Sequence, residues 1–454
     1  MNILYLVLYF LIIYIFTLFI KNQTGKEGFL LGDRNIGTLP MALSIASTWI
    51  WAPALFVSAQ QAYENGYVGL LYFLVPNVLT LIIFIPFAKR LRKSFPAGYS
   101  LMGYMGKTYS NRVRGVYLFQ MTALSLLSTV VQIVAGGTVI SVLTGIPFMY
   151  TSIILGLFVY MYCRKSGIKA SIYTGVIQMI IIILSLIVIV GWTTERIGVD
   201  QFITGLNGIN EVTFTNAEGI QLLMLFGIPT AISLLAGPFG DQNFWQRALS
   251  VKKGKLTQSF IYGAIAFAIV PLLMAVLGFL AVGDGFTPSD NSMVNIEIAT
   301  AQLPAWTVVF FIFILLSGLM STVDSNLSAI STLLNDIRPT STLRDFRIAM
   351  LIFVVLAITI SNIPASIIDL FLFYGILRAT TFSTTILTLM KVELAERGVF
   401  YGILTSLIIG FPIFIYGQFT NDPLLSVVGS LSALLLSGIV AIGITKTNRW
   451  RNII

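Results

Sequence analysis

Apolar residues run along this chain in stretches too long and too continuous for half-buried strands, and short polar connections interrupt them at intervals. An α-helix needs about 20 residues to cross a hydrocarbon core. Measured against that length, thirteen segments stand out, at 3–20, 38–64, 67–88, 114–144, 148–163, 168–192, 219–249, 255–282, 304–336, 343–361, 364–390, 399–417 and 423–444. The pattern predicts an all-α integral membrane protein with about 13 transmembrane helices, organised as one transmembrane domain over residues 1–454. Residues 3–20 lack a basic leading segment and a small-residue cleavage site, so they read as a retained helix and not as a signal peptide. No soluble domain is expected at either end.

Composition agrees with a lipid surrounding. Hydrophobic residues make up 57% of the chain and charged residues only 10%, against about 25% charged in soluble proteins. With one cysteine, Cys163, and no histidine, an internal disulfide, a histidine proton relay and a histidine-bearing zinc site are excluded. No catalytic residue stands out, and no enzyme is expected. The lysines and arginines report orientation. All but two of the 27 fall in, or within a few residues of, every second connection, beginning with 21–37, and the exceptions are Arg196 and Arg378. Basic residues are retained on the cytoplasmic side, so the N-terminus is expected outside and the C-terminus inside, in a cell membrane. The net charge of +9 is then a topology signal, with no nucleic-acid partner implied.

Two segments carry residues that a continuous helix disfavours. The second contains Trp49-Ile50-Trp51-Ala52-Pro53, and the seventh contains Gly237-Pro238-Phe239-Gly240. Proline lacks an amide hydrogen and clashes with the preceding turn, so each place either kinks the helix or frees backbone groups at membrane depth. Counted from the second segment, the breaks fall in the first and sixth helices, matching places in two consecutive five-helix units. Five is odd, so the second unit enters from the opposite side. Paired broken helices in inverted repeats are the architecture of secondary transporters. The expected repeats cover 38–192 and 219–390, with an extra helix and inner loop at 1–37 and two further helices in 399–454.

The ninth segment is unusually polar between Ser317 and Thr332. Gly318, Ser321 and Thr322 share one helix face, as do Ser321, Asp324 and Ser325. Small hydroxyls let helices approach closely, yet such a row with a carboxylate also suits a dehydrated cation. An ionisable group at that depth is a functional candidate. Arg378 has three readings: it binds a substrate carboxylate, pairs with a buried acid such as Asp369 or Asp324, or reaches a cytoplasmic vestibule. Asp241 and Arg247, near the inner end of their helix, are candidates for a gate salt bridge or for a ligand role.

The stretches Ala46-Ser47-Thr48-Trp49-Ile50-Trp51, Asp241-Gln242-Asn243-Phe244-Trp245-Gln246-Arg247 and Gly318-Leu319-Met320-Ser321-Thr322 resemble the sodium/solute symporter family, whose members adopt the leucine-transporter-like inverted-repeat fold. The first, with Ala62-Tyr63 and Gly66, is similar in particular to the urea symporter branch. The resemblance implies a sodium site made of the carbonyls of Ala46, Trp49 and Gly318 and the hydroxyls of Ser321 and Thr322. Relatives with a second sodium site often have an aspartate where this chain has Gly175. Asp324 and Ser325 are therefore candidates for a second cation site, with Asp324 alternatively a proton-coupling group. Trp51, Phe239, Gln242 and Arg378 are the expected solute-binding residues.

The expected function is sodium-coupled symport of a small polar solute by alternating access, urea or a similar small compound among the candidates. A small organic anion or amino acid contacting Arg378, or a non-transporting sensor with this fold, is the alternative. A twelve-helix facilitator would show a long basic loop after its sixth helix and no paired breaks. An intramembrane aspartyl protease would need a membrane-embedded Gly-x-Gly-Asp-type motif, and Gly283-Asp284-Gly285 falls in an outer loop.

Overall fold

The computed structural model describes residues 3–363 and 374–451, and among them every regular element is helical except one isolated bridge between Ile36 and Val251. In chain order the main helices are α1 (Ile3–Leu18), α2 (Lys26–Leu31), α3 (Thr38–Trp49), α4 (Ala52–Ser94), α5 (Leu101–Thr108) and α6 (Asn111–Thr144). They continue with α7 (Phe148–Ser166), α8 (Ile168–Ile197), α9 (Ala217–Gly240), α10 (Gln242–Ser250), α11 (Leu256–Gly283) and α12 (Val294–Gln302). The last are α13 (Val308–Ile337), α14 (Leu343–Ser361), α15 (Phe382–Leu389), α16 (Glu396–Phe419) and α17 (Pro423–Arg451). Among the described residues eight are long and apolar enough to cross a membrane: α4, α6, α8, α9, α11, α13, α16 and α17.

The first break is where the sequence places it. α3 stops at Trp49, Ile50 and Trp51 take extended dihedrals (ψ 97° and 173°), and α4 resumes at Ala52 with Pro53 in its opening turn. There the missing proline amide costs nothing, because first-turn amides have no helical acceptor. Farther along α4, Gly66 adopts φ 63° and ψ −153° and turns the chain between its two segments. A Cβ at Gly66 would lie 2.4 Å from the backbone of Asn207, so both the dihedral and the close approach call for glycine.

The second break differs from expectation. α9 keeps helical geometry through Pro238 to Gly240, and the chain leaves the helix only at Asp241 (φ −92°, ψ 117°) before α10. The glycines serve packing instead. A Cβ at Gly237 would meet the Trp49 ring at 2.5 Å, and one at Gly240 would lie 3.2–3.3 Å from Arg378. Two π-helical turns, Leu223–Gly227 and Ser406–Gly410, also interrupt α9 and α16.

Packing sorts the connections into two ends. At one end Ile36 donates to the Ser250 carbonyl, Lys26 to the Pro339 carbonyl, Arg34 to the Gly98 carbonyl and Arg347 to the Arg164 carbonyl, while Lys169 pairs with Asp33 at 2.6 Å. These are the basic connections. At the other end Ile209 and Asn210 donate to the carbonyls of Tyr63 and Glu64, and Asn291 donates to the Glu64 carboxylate. Between the ends, α13 packs on α8, α6 and α3, and α11 packs on α4 and α3. The buried Tyr9 of α1 shares a hydrogen bond with Ser317 of α13.

Candidate functional site

The end of α3 lies against the polar face of α13. The Ser321 hydroxyl donates to the Ser47 hydroxyl at 2.9 Å, and Thr322 donates to the carbonyls of Thr48 and Gly318, both at 3.3 Å. A helix terminus leaves carbonyls without intrahelical partners, and here they face a row of hydroxyls. The Ala46 carbonyl already accepts the Ile50 amide at 3.0 Å; its second lone pair stays available. Of the expected sodium ligands, Gly318, Ser321 and Thr322 thus lie on α13 where it meets Ser47 and Thr48 of α3, the helix that carries Ala46 and Trp49.

A cavity of about 10 Å³ adjoins this contact, lined by Thr48, Trp51, Asn243, Thr322, Tyr374 and Arg378 among others. That volume accommodates roughly one water, so the site is closed in this conformation. Arg378 settles here on Asp241: Nη2 donates to Oδ2 at 2.5 Å, and Nε donates to Oδ1 at 3.4 Å. The Tyr374 hydroxyl donates to the same carboxylate at 2.9 Å and also accepts from Arg378. The guanidinium carbon lies 5.5 Å from the Trp51 ring centre and 5.7 Å from that of Trp49, within cation–π range. Among the described residues, Nη1 of Arg378 has no hydrogen-bond partner. Asn243 uses one end of its amide on Asn326, which in turn bonds Thr129, and the other end is unpartnered.

Two of the expected solute-binding residues lie off this cavity. Gln242 is not among its lining residues: it donates to the Tyr99 carbonyl and Thr332 hydroxyl and accepts from the Leu101 amide, tying α10 to the basic end. Phe239 points away as well, into an aromatic cluster with Phe84, Phe87 and Phe382 at ring-centre distances of 5.0–5.4 Å. Two residues along a helix is about 200° of rotation, so Phe239 cannot share the face on which Gly237 meets Trp49. Arg378 pairs with Asp241 and not with Asp324. Asp324 is elsewhere, and Asp369 lies outside the described residues. Asn243 and Tyr374 were not foreseen; Tyr374 stands four residues before Arg378, the spacing that stacks side chains on one helical face.

Asp324 is fully buried, with Oδ1 accepting from Ser171 at 2.6 Å and Ser325 at 3.3 Å, and Oδ2 accepting from Tyr162 and Thr174, both at 2.9 Å. Ser171 and Thr174 belong to α8, the helix of Gly175. A Cβ at Gly175 would touch the Ser47 hydroxyl at 2.7 Å. Arg247 forms no gate pair with Asp241. Its guanidinium, also fully buried, donates to Ser44, Ser171 and Ser325.

The chain is similar to known proteins in sequence and in fold. The probable urea active transporter 1 of Schizosaccharomyces pombe is 25% identical over 299 residues, 62% of this chain and 44% of that protein. The urea-proton symporter DUR3 of Oryza sativa subsp. japonica is 20% identical over 347 residues, 69% of this chain and 48% of that protein. The chain thus spans about half the length of these relatives. A solved structure of a sodium-coupled sialic acid symporter, substrate-bound and outward-open, superposes with a TM-score of 0.74 at 15% identity, covering 96% of this chain and 95% of that one, so the two share a fold. Residues 29–406 match the model of the sodium:solute symporter family, and with most of its length inside that match the chain belongs to this family.

Proposed function

We propose that the chain is a sodium-coupled secondary active symporter that moves a small, neutral, polar solute by alternating access. The observation that carries this is the position of Thr322: its hydroxyl bonds the carbonyl of Thr48 at the α3 break, and its side chain also lines the cavity that holds Arg378. One residue therefore belongs to both the cation-ligand face and the solute cavity, the proximity that coupled binding requires. Sodium is held by the carbonyls of Ala46, Trp49 and Gly318 and the hydroxyls of Ser321 and Thr322.

The solute class follows from charge and hydrogen-bonding capacity. Asp241 neutralises Arg378, so an anionic solute would have to displace an internal carboxylate, and a neutral one would not. The open Nη1 donor and the free end of the Asn243 amide suit a solute with a carbonyl and N–H groups, such as urea or a small amide. The names of the two urea-transporting relatives support the same choice.

The chain crosses the membrane thirteen times, its N-terminus outside and its C-terminus in the cytoplasm, with inverted repeats at 38–192 and 219–390. The breaks at Ile50–Trp51 and at Asp241, and the gathering of basic connections at one end, support this topology. A proton-driven version is the second reading, favoured by the name of the rice relative.

The test is uptake of labelled urea and small amides into liposomes carrying the purified protein. An inward sodium gradient should drive accumulation, potassium should not replace sodium, and Ser321→Ala with Thr322→Ala should raise the half-saturating sodium concentration with expression intact. Accumulation driven by a pH gradient without sodium would establish the second reading, and sodium-independent equilibration would sink both.

A further inference from the structure

A buried guanidinium without a carboxylate in ion-pair reach needs a reason, because removing a charge from water is costly unless the protein compensates it. Arg247 is such a group among the described residues: it is fully buried and takes part in none of the ion pairs there. What surrounds it is a shell of hydroxyl oxygens from three helices. Nη2 donates to Ser325 of α13 at 2.7 Å, Ser44 of α3 at 3.1 Å and Ser171 of α8 at 3.2 Å, while Nε donates to Ser44 at 3.2 Å. The remaining donor, Nη1, turns back to the Asn243 carbonyl at 3.3 Å.

The same hydroxyls face a carboxylate. Ser171 donates to Oδ1 of Asp324 at 2.6 Å, and the Ser325 hydroxyl, whose single proton is shared with the Ser321 carbonyl at 2.6 Å, lies 3.3 Å from the same oxygen. Asp324 and Arg247 thus stand on opposite sides of one pair of serines, and their charges cancel across them. Hydroxyls from several helices around one carboxylate are the kind of ligand set that a small hard cation takes. The positive charge already in that nest is covalently part of the protein. A mobile cation between Asp324 and Ser325 would meet the guanidinium at close range in a low-dielectric setting, where like charges repel strongly.

We propose that Arg247 is the resident cation of the second site, a positioning residue that satisfies Asp324 and Ser325 in place of a mobile ion, so that one sodium drives each transport cycle. This rests on the sodium-symport reading above. It also gives a reason for a carboxylate on α13 facing α8: the guanidinium reaches from α10 to Ser171 and Ser325, and Asp324 balances it from the far side of those hydroxyls.

The test counts sodium ions. In the purified wild-type protein, equilibrium binding of labelled sodium in the presence of saturating urea should give one ion per chain, and sodium-dependent uptake should have a Hill coefficient of about 1. Arg247→Gln leaves Asp324 without its cation, so bound sodium should rise to two per chain and uptake should steepen toward a Hill coefficient of about 2. Arg247→Gln combined with Asp324→Asn should return the count to one. Should Arg247→Gln not fold, Arg247→Lys, which keeps a tethered charge, should bind one ion, and the wild-type count still decides. Two ions bound to the wild type together with sodium-driven uptake would overturn this inference alone. A folded Arg247→Gln that still binds one ion would also overturn it. No bound sodium in the wild type would overturn the symport reading with it.

Discussion

Arg378 and Asp241 meet at 2.5 Å inside the bundle, 2% and 5% exposed, across a gap of 137 residues in the chain. The pair joins the break between α9 and α10 to the helical stretch around Tyr374 and leaves Nη1 of Arg378 without a hydrogen-bond partner among the described residues. Because both charges are neutralised within the protein, the solute proposed for this cavity is a neutral one.

Removing one member of a buried ion pair leaves the other charge uncompensated, at a cost of about 3–5 kcal/mol. Asp241→Asn and Arg378→Gln should each lower the thermal unfolding midpoint in detergent. The double variant should be more stable than either single one while still failing to take up solute, because the Nη1 donor is gone. A double variant no more stable than the singles would show that the pair is not energetically coupled.

Trp51 contributes a ring 5.5 Å from the Arg378 guanidinium and walls the cavity. Trp51→Ala should weaken solute binding about tenfold, the equivalent of about 1.4 kcal/mol, and change half-saturating sodium much less. Trp51→Phe should fall between. Solute-binding isotherms at saturating sodium, paired with sodium titrations at saturating solute, separate the two effects. A larger change in the sodium constant would remove Trp51 from the solute site.

The helices were legible in the sequence because lipid demands long apolar runs, and the bounds of α6, α8, α11 and α13 agree with the apolar segments to within a few residues. The first break was legible because Pro53 belongs in a first turn. The second was misplaced because Gly237 and Gly240 look like helix breakers, while their job is to admit Trp49 and Arg378. The π-turns in α9 and α16 leave no compositional mark, since they only shift a hydrogen-bond register. The hydroxyl face of α13 was visible from its spacing. The partners of Arg378 and Arg247 were not, because they come from helices far away in sequence, and no local pattern records which buried acid a buried base will meet.

Gly175 of α8 faces Ser47 and Ser44 of α3, beside the contact proposed to hold sodium. A methyl group there would sit 2.7 Å from the Ser47 hydroxyl, which accepts from Ser321. Such overpacking costs about 1–3 kcal/mol, and rotating Ser47 away relieves it. Gly175→Ala should therefore raise the half-saturating sodium concentration several-fold while solute affinity at saturating sodium stays the same. Sodium titrations of uptake check this. An unchanged sodium constant in a well-folded variant would place Ser47 and Ser321 outside the ion's ligand shell.

Thr322 offers the sharpest separation between binding and coupling. Its single hydroxyl proton is shared between the carbonyls of Thr48 and Gly318, each 3.3 Å away, and a bound sodium would take over the oxygen as a ligand. Its side chain also lines the solute cavity. Thr322→Val keeps the shape and deletes the oxygen, whereas Thr322→Ser keeps the oxygen and deletes the methyl. Because linkage is reciprocal, the factor by which sodium tightens solute binding must equal the factor by which solute tightens sodium binding. Thr322→Val should shrink both factors together toward one, raise half-saturating sodium about tenfold or more, and leave the solute affinity measured without sodium almost unchanged. Thr322→Ser should keep the coupling factor and alter only the solute constant, through the lost methyl contact. Equilibrium solute binding at low and saturating sodium, repeated for the three proteins, measures all of these quantities. If the valine variant keeps the wild-type coupling factor, the ion is not bound through this hydroxyl, and the link between the two sites must run through the α3 backbone alone.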